Sequence, residues 1–182
     1  MPAFGTESRF GGVAQILHWL TALLVLAAFL VSSGGPPSRV YGDANAANLL
    51  LHESLGLAIF ILVGVRLLWR FFDRIPDEPA MPRWMALVSR AAHWTLYFLL
   101  VAVPATAILG AWFGGHPVTV FGVGAISPLF GPWDAGETLA EVHGLLGDII
   151  IWLAGFHASA ALYHHFVRRD RVLRAMLPGR GT

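Results

Sequence analysis

The chain contains no cysteine in its 182 residues. This absence excludes disulfide bonds, thiolate-ligated iron–sulfur clusters, thiolate zinc sites and a covalently attached c-type haem. Any bound metal must therefore be held by histidine, methionine or carboxylate side chains.

Charged residues are also scarce. They make up only 13% of the chain, whereas 56% of the residues are hydrophobic, and the mean hydropathy is +0.64. A typical soluble domain carries about a quarter charged residues, so the polar surface that a water-soluble protein of this size needs is missing. We therefore expect an integral membrane protein that is surrounded by a lipid bilayer and has no nucleic acid as a partner.

Four apolar segments are each long enough, at about 20 residues, to cross a hydrocarbon core of about 30 Å as a helix. The predicted spans are residues 11–32, 49–71, 91–113 and 139–166. Clusters of polar residues, glycine and proline separate the segments, and no soluble domain fits between them. The sequence therefore predicts an all-α fold, a transmembrane four-helix bundle in which residues 1–182 form a single domain.

The twelve basic residues are all arginine, and their placement predicts the orientation. Four spans put both termini on the same side of the membrane, and Arg39 alone lies in the two loops on the opposite side. The other eleven are Arg9, Arg66, Arg70, Arg74, Arg83, Arg90, Arg168, Arg169, Arg171, Arg174 and Arg180. By the positive-inside rule, both termini are predicted to lie in the cytoplasm.

Seven of the eight histidines fall within the predicted spans, and five of them precede the pair that ends the fourth span: His18, His52, His93, His143 and His157. Ionisable residues inside a membrane are rare and costly, so each is a candidate functional residue, although a single neutral imidazole can also be purely structural. At 1.5 Å per residue, His18 and His157 lie about 5 and 7 Å from the span middles toward the cytoplasm. His52 and His143 lie about 12 and 14 Å toward the outside. The four side chains therefore form two pairs, each at one level.

Two facing imidazoles at one level suit the axial ligation of a haem, whereas a zinc site usually needs four ligands. A flat macrocycle can approach a helix only where the residue one turn from its ligand is small. The residues four positions after the paired histidines are Ala22, Gly56, Gly147 and Ala161. The sequence therefore predicts two non-covalent haem b groups stacked along the membrane normal.

Arg66 is a further candidate at the cytoplasmic level. It lies fourteen residues after His52, near the same helix face and at the depth of His18 and His157. An unpaired arginine at this depth is costly, so it should either neutralise an anion, such as a haem propionate, or extend to the membrane surface.

Three motifs carry a family resemblance: QILHWL around His18, HESLG around His52, and HGLLGDIIIWLAGFHASAALYHHF across the fourth span. With them the chain resembles, over nearly its whole length, the bacterial four-helix cytochrome b561 family, including its superoxide oxidase members. The resemblance implies that His18 and His157 ligate one haem b and that His52 and His143 ligate the other. It also implies a location in the bacterial inner membrane.

The resemblance further implies electron transfer from a periplasmic donor, such as superoxide or a redox partner protein, to ubiquinone near the cytoplasmic side. With superoxide as the donor, the chain would be a superoxide:ubiquinone oxidoreductase. The quinone site would lie around the start of the third span. The candidate quinone residues are Arg83, Leu87, Arg90 and His93, with His164 at the end of the fourth span.

The depth of His93 predicts that it is not a haem ligand. It lies about 13 Å from the middle of the third span toward the cytoplasm, level with neither histidine pair. A hydrogen bond from His93 to a quinone carbonyl and a purely structural role are both open at this point.

Two other functions fit parts of the sequence. The long, glycine-rich and weakly charged loop on the outside favours a membrane anchor that relays electrons between quinone and a partner hydrogenase or dehydrogenase. The outer loops also carry Arg39 and His116 against Asp43, Asp134 and Glu137, so they provide no electropositive surface to attract superoxide. The intramembrane histidines alone would fit a haem-free proton or metal transporter.

Overall fold

The fold is built from four long helices, as seen in a computed structural model that describes residues 3–32, 34–35, 37–77 and 80–178. Arg180, one of the arginines counted above, lies outside these residues. The long helices are α1 (Gly12–Val31), α3 (Ala46–Phe72), α4 (Arg83–Phe113) and α5 (Ala135–Tyr163). The shorter elements are α2 (Pro37–Val40), a 3₁₀ turn (Asp43–Asn45), a π-helical turn (His164–Arg168) and α6 (Val172–Met176).

Each of the four long helices is long and apolar enough to cross a membrane, which confirms the predicted helical bundle. The largest difference from the predicted spans is at α4, which begins at Arg83 rather than at residue 91. The prediction counted only the apolar run, but a helix continues through polar residues until its backbone is interrupted. Pro82 directly precedes α4, and proline is well suited to the start of a helix because it has no N–H group to pair.

The surface of the bundle is apolar in the way that lipid contact requires. Ile16, Leu23 and Leu30 of α1 are all exposed, and their spacing of seven residues places them on one face of that helix. In a water-soluble protein such a face would be covered by another element. Acyl chains of a bilayer can cover it here.

Both described chain ends lie at one end of the bundle, which we call the terminal end. The N–H of Gly5 donates a hydrogen bond of 2.7 Å to Oδ1 of Asp73, which follows α3. Nε1 of Trp19 donates one of 2.9 Å to the carbonyl of Met176 in α6. The loop between α3 and α4 and both chain ends are therefore held together.

The opposite end carries a small two-stranded sheet, which we call the hairpin end. Strands β1 (Val118–Val120) and β2 (Gly124–Ile126) pair antiparallel in the loop between α4 and α5. The N–H of Thr119 donates a hydrogen bond of 2.9 Å to Oε2 of Glu53 in α3, and the hydroxyl of Thr119 donates a second one to the same oxygen. The sequence pattern predicts only a loop for this segment, and the hairpin was not predicted.

A small apolar core lies midway along the bundle. Its buried members are Ala28 of α1, Ile59 and Val63 of α3, Leu99 and Leu100 of α4, and Ile150 of α5. Val63, only 1% exposed, is the most completely buried of them. Ile150 lies midway between His143 and His157 on α5, so this core separates the two levels of histidines.

Candidate functional site

The histidine pair near the hairpin end is formed by α3 and α5. The ring centres of His52 and His143 are 5.9 Å apart and their planes are inclined at 82°. Nδ1 of His52 lies 2.9 Å from the carbonyl oxygen of Ala28, and Nδ1 of His143 lies 2.9 Å from that of Val103. Because a carbonyl oxygen can only accept, each Nδ1 carries the proton and each Nε2 presents a lone pair. This is the tautomer that a metal-binding imidazole needs.

A cavity of about 780 Å³ adjoins this pair, within the range of about 300–1,000 Å³ that is usual for cofactor and ligand sites. Gly56 and Gly147 lie on its wall. A Cβ atom added to either glycine would have no atom within 4 Å apart from those of its chain neighbours and the adjoining helix backbone. The two glycines that the sequence analysis singled out at this level therefore border open space beside the imidazoles.

The second pair lies toward the terminal end, between α1 and α5. The ring centres of His18 and His157 are 6.4 Å apart, with an interplanar angle of 69°. Ala22 is exposed and Ala161 is partly buried, and neither belongs to the wall of the 780 Å³ cavity.

Arg66 reaches into this level of the bundle. Its Nη2 donates a hydrogen bond of 3.0 Å to Nδ1 of His18. Its guanidinium carbon lies 5.4 Å from the ring centre of Tyr97, a distance typical of a cation–π contact. The structure therefore places the charge of Arg66 against the histidine pair, and its predicted contact with an anion stays a prediction.

The prediction that His93 is level with neither pair is wrong. Its ring centre lies 5.1 Å from that of His157. Because α4 begins at Arg83, the midpoint of the helix lies nearer the terminal end than the predicted span implied. His93 is then only about 8 Å from that midpoint, which is close to the level of His18 and His157.

The spacing of both pairs fits the binding of one metal ion between two imidazoles. Metal–nitrogen bonds of about 2 Å place the centres of two trans imidazoles roughly 6 Å apart, and the observed separations are 5.9 and 6.4 Å. Among the residues that the structure describes, no group of three or more histidine and carboxylate side chains is placed to hold a metal ion. Two imidazoles suffice for a haem, because the porphyrin nitrogens complete the coordination.

Comparison with known proteins identifies the family to which the chain belongs. Residues 9–179 match the sequence model of the family described as prokaryotic cytochrome b561. The chain belongs to the prokaryotic cytochrome b561 family. The resemblance read from the sequence motifs is thereby confirmed.

Several curated members of the cytochrome b561 family and similar cytochromes match over almost their whole length. The probable superoxide oxidase CybB of Yersinia pestis is 31% identical over 166 residues, which cover 89% of this chain and 92% of that protein. Cytochrome b561 homolog 2 of Escherichia coli is 29% identical, covering 94% of this chain and 93% of its own. Cytochrome b562 of Cereibacter sphaeroides is 32% identical, and the match covers 88% of this chain and 90% of that protein.

Membership in the cytochrome b561 family establishes the general function. The chain is a membrane electron-transfer protein of the inner membrane and an oxidoreductase, and the family implies haem b as its cofactor. The two imidazole pairs are the features of this structure that fit such a cofactor.

The residues predicted to bind quinone are spread along the terminal end. Arg83 and Leu87 are exposed at the start of α4, and His164 follows α5. Nη1 of Arg168 donates a hydrogen bond of 3.6 Å to Sδ of Met85, which lies between Arg83 and Leu87 in the sequence. The start of α4 and the end of α5 are therefore adjacent.

Sequence reasoning missed the groups that orient the histidines. The acceptors for His52 and His143 are backbone carbonyls, which have no signature in the amino-acid sequence. Asp170, which binds His164 at 2.5 Å, is different, because a single carboxylate among the arginines of the C-terminal segment could have been noticed.

Proposed function

We propose that the chain holds two haem b groups, one between His18 and His157 and the other between His52 and His143. The observation that supports this is the presence of two imidazole pairs with the spacing of axial ligands at two levels of one bundle. Bound haem would supply one-electron redox chemistry at each level. The protein contributes the ligands and, for His52 and His143, their orientation through Nδ1.

We further propose that the terminal end faces the cytoplasm and that electrons pass from a periplasmic donor to ubiquinone. The orientation is supported by the excess of arginine at the terminal end. The quinone would bind near Arg83, Leu87, His93 and His164. The likeness to a protein named a probable superoxide oxidase supports superoxide as the donor.

The acceptor half of this proposal is tested by mixing the haem-loaded, reduced protein with ubiquinone under anaerobic conditions. We expect both haem components to be reoxidised and ubiquinol to form in a ratio of one per two haems. Haem that stays reduced after ubiquinone is added would contradict the assignment of the acceptor.

Arg66 gives a prediction about the terminal-end haem. A cation beside an iron centre favours its reduced state, because reduction lowers the local positive charge. Replacing Arg66 with leucine should therefore lower the midpoint potential of this haem by about 60 mV, the equivalent of a tenfold change in the one-electron equilibrium constant. Potentiometric titration of the purified protein, followed by absorbance, measures the change.

Arg70 provides the control for that titration. Its guanidinium carbon lies 5.7 Å from the same Tyr97 ring, but its side chain is exposed and solvent screens its charge. The Arg70→Leu variant should leave both midpoint potentials unchanged. Equal shifts in the two variants would show that Arg66 has no specific effect on the haem.

A second candidate function is electron relay to a partner protein at the hairpin end. Glu137 and Glu141 are exposed on α5 and belong to the wall of the 780 Å³ cavity. The hairpin and the loop after it also expose large apolar side chains, among them Val123 at 88% and Leu129 at 70%. Acidic and apolar groups together favour a protein surface over a small anion such as superoxide.

The dependence of the rate of haem reduction on ionic strength tests whether superoxide reacts at the hairpin end. If superoxide reacts near Glu137 and Glu141, like-charge repulsion slows its approach, so added salt should raise the rate of haem reduction. The double variant Glu137→Gln, Glu141→Gln should raise that rate by about threefold to tenfold at low salt. Pulsed generation of superoxide with optical detection of reduced haem gives both rates.

Glu7 provides the matched control, since it is an exposed carboxylate at the terminal end. Glu7→Gln makes the same chemical change far from the hairpin end and should not alter the rate. A rate that falls as salt is added would mean that the donor surface attracts anions. In that case superoxide does not react near Glu137 and Glu141.

A further inference from the structure

The chain reverses direction directly after α5. His164–Arg168 form a π-helical turn, and Arg169 then adopts a left-handed conformation with φ of 55°. The N–H of Asp170 donates a hydrogen bond of 3.2 Å to the carbonyl of His164. Residues six apart are thereby brought into contact. A π-turn and a left-handed non-glycine residue are uncommon, and both are enriched at functional sites.

The reversal places the carboxylate of Asp170 against the imidazole of His164. Nδ1 of His164 lies 2.5 Å from Oδ2 of Asp170. The N–H of Val172 donates a hydrogen bond of 3.1 Å to Oδ1 of Asp170, and Nε of Arg168 lies 3.4 Å from Oδ2. The side chains of His164 and Asp170 are only 12% and 18% exposed. The pair is therefore largely shielded from water.

Asp170 is ionised under ordinary conditions. Burial raises the pKa of its carboxyl, but the hydrogen bonds from His164 and Val172, together with the contact to Arg168, outweigh burial and hold that pKa below its ordinary value. An ionised carboxylate beside Nδ1 fixes the proton on that nitrogen. It also stabilises the positive charge when the imidazole takes up a second proton at Nε2.

The pair lies beside the region proposed above for the quinone. Arg168 binds Asp170 and also donates hydrogen bonds to Sδ of Met85 at 3.6 Å and to the carbonyl of Ala80 at 3.4 Å. His164, which directly follows α5, lies about two helical turns beyond His157, about 10 Å along the helix axis. One arginine thus connects the carboxylate to the start of α4.

We propose that His164 and Asp170 form a dyad that delivers protons to the bound quinone, with Asp170 as the positioning residue. This inference rests on the proposed function. Reduction of ubiquinone to ubiquinol takes two electrons and two protons. The electrons would come from the external donor, carried by the haem groups that the two histidine pairs are proposed to hold. Each proton leaves Nε2 of His164 for a quinone oxygen, and His164 is reprotonated from water at the terminal end.

The test measures steady-state ubiquinone reduction by the haem-loaded protein in detergent, with kcat and KM determined separately. His164→Gln should lower kcat by about a hundredfold, the usual contribution of a positioned proton donor. Asp170→Asn keeps a similar shape and an oxygen acceptor but loses the charge, and should lower kcat at least about tenfold. The KM for ubiquinone should not change, because Asp170 acts through His164.

Two control variants separate this role from a structural one. His165→Gln changes the neighbouring imidazole of the same turn, and Asp73→Asn changes another carboxylate at the terminal end. Both should keep the kcat of the unmodified protein. Asp170→Glu should recover part of the activity that Asp170→Asn loses, since it restores the charge. Haem content and thermal unfolding temperature should be the same in all variants.

The outcomes distinguish this inference from the function on which it rests. Unmodified protein that does not reduce ubiquinone would overturn the proposed acceptor and the dyad together. Protein that reduces ubiquinone equally well with and without Asp170→Asn would overturn the dyad alone. A fall in kcat that is matched by loss of haem or by a lower unfolding temperature, with no recovery in Asp170→Glu, would also overturn it and leave Asp170 a structural role.

Discussion

Replacing His52 with alanine is expected to reduce the haem content of the purified protein from two per chain to one. An axial ligand cannot be lost from a bis-histidine haem without loss of most of its binding, because the neighbouring residues in the cavity wall are mainly apolar or small. His143→Ala should remove the same spectral component. Haem extraction and a reduced-minus-oxidised spectrum measure the two quantities.

The prediction also specifies which two histidines share each haem. His18→Ala and His157→Ala should both remove the other component and leave the one assigned to His52 and His143. His116 lies in the loop at the hairpin end and stacks on Tyr41 at 3.6 Å, so His116→Ala is the matched control and should retain both haems. Loss of the same component in both His52→Ala and His157→Ala would contradict the assignment by level.

Filling the cavity should have nearly the same effect as removing a ligand. Gly147→Leu introduces a branched side chain where an added Cβ has no other atom within 4 Å and where the cavity adjoins the His52–His143 pair. We expect loss of the hairpin-end haem, so that the haem content falls by half. The helix itself should be preserved, because leucine has a higher helix propensity than glycine by roughly 0.8 kcal/mol.

Gly155→Leu is the control for this variant. Gly155 is on the same helix and also has open space around an added Cβ, but it is exposed and lies outside the cavity wall. Leucine at this position should contact lipid and leave both haems in place. A protein with two haems in the Gly147→Leu variant would show that the cavity is not the cofactor site.

Hydropathy and depth alone predicted most of the bundle and the pairing of its histidines. Long apolar runs have few alternatives to helices in a bilayer, because every backbone group must be paired within the segment. His18, His52, His143 and His157 could be placed by counting residues from the span middles, since those three spans match the helices closely.

The same counting failed for His93 because its helix begins in a polar segment. Hydropathy locates the apolar part of a helix and not its ends, so the continuation of α4 back to Arg83 was invisible to it. The error moved the midpoint of the helix and separated His93 from His157 in the prediction. The structure has their ring centres 5.1 Å apart.

The remaining details depend on contacts between segments that are far apart in the sequence. The hydrogen bonds from Thr119 to Glu53 hold the hairpin against α3, and no local pattern predicts them. The carbonyls that orient His52 and His143 belong to the backbone of other helices. The contact of His164 with Asp170 arises from a π-turn and one left-handed residue, which depend on the tertiary structure.

The number and ligation of haem groups in the unmodified protein are the decisive measurement for the two-haem assignment. Haem quantified against polypeptide, combined with low-temperature electron paramagnetic resonance of the oxidised protein, should give two b-type haems per chain, both low-spin with two imidazole ligands. A single haem per chain, or a second haem with a high-spin signal, would show that the two histidine pairs do not each ligate a haem.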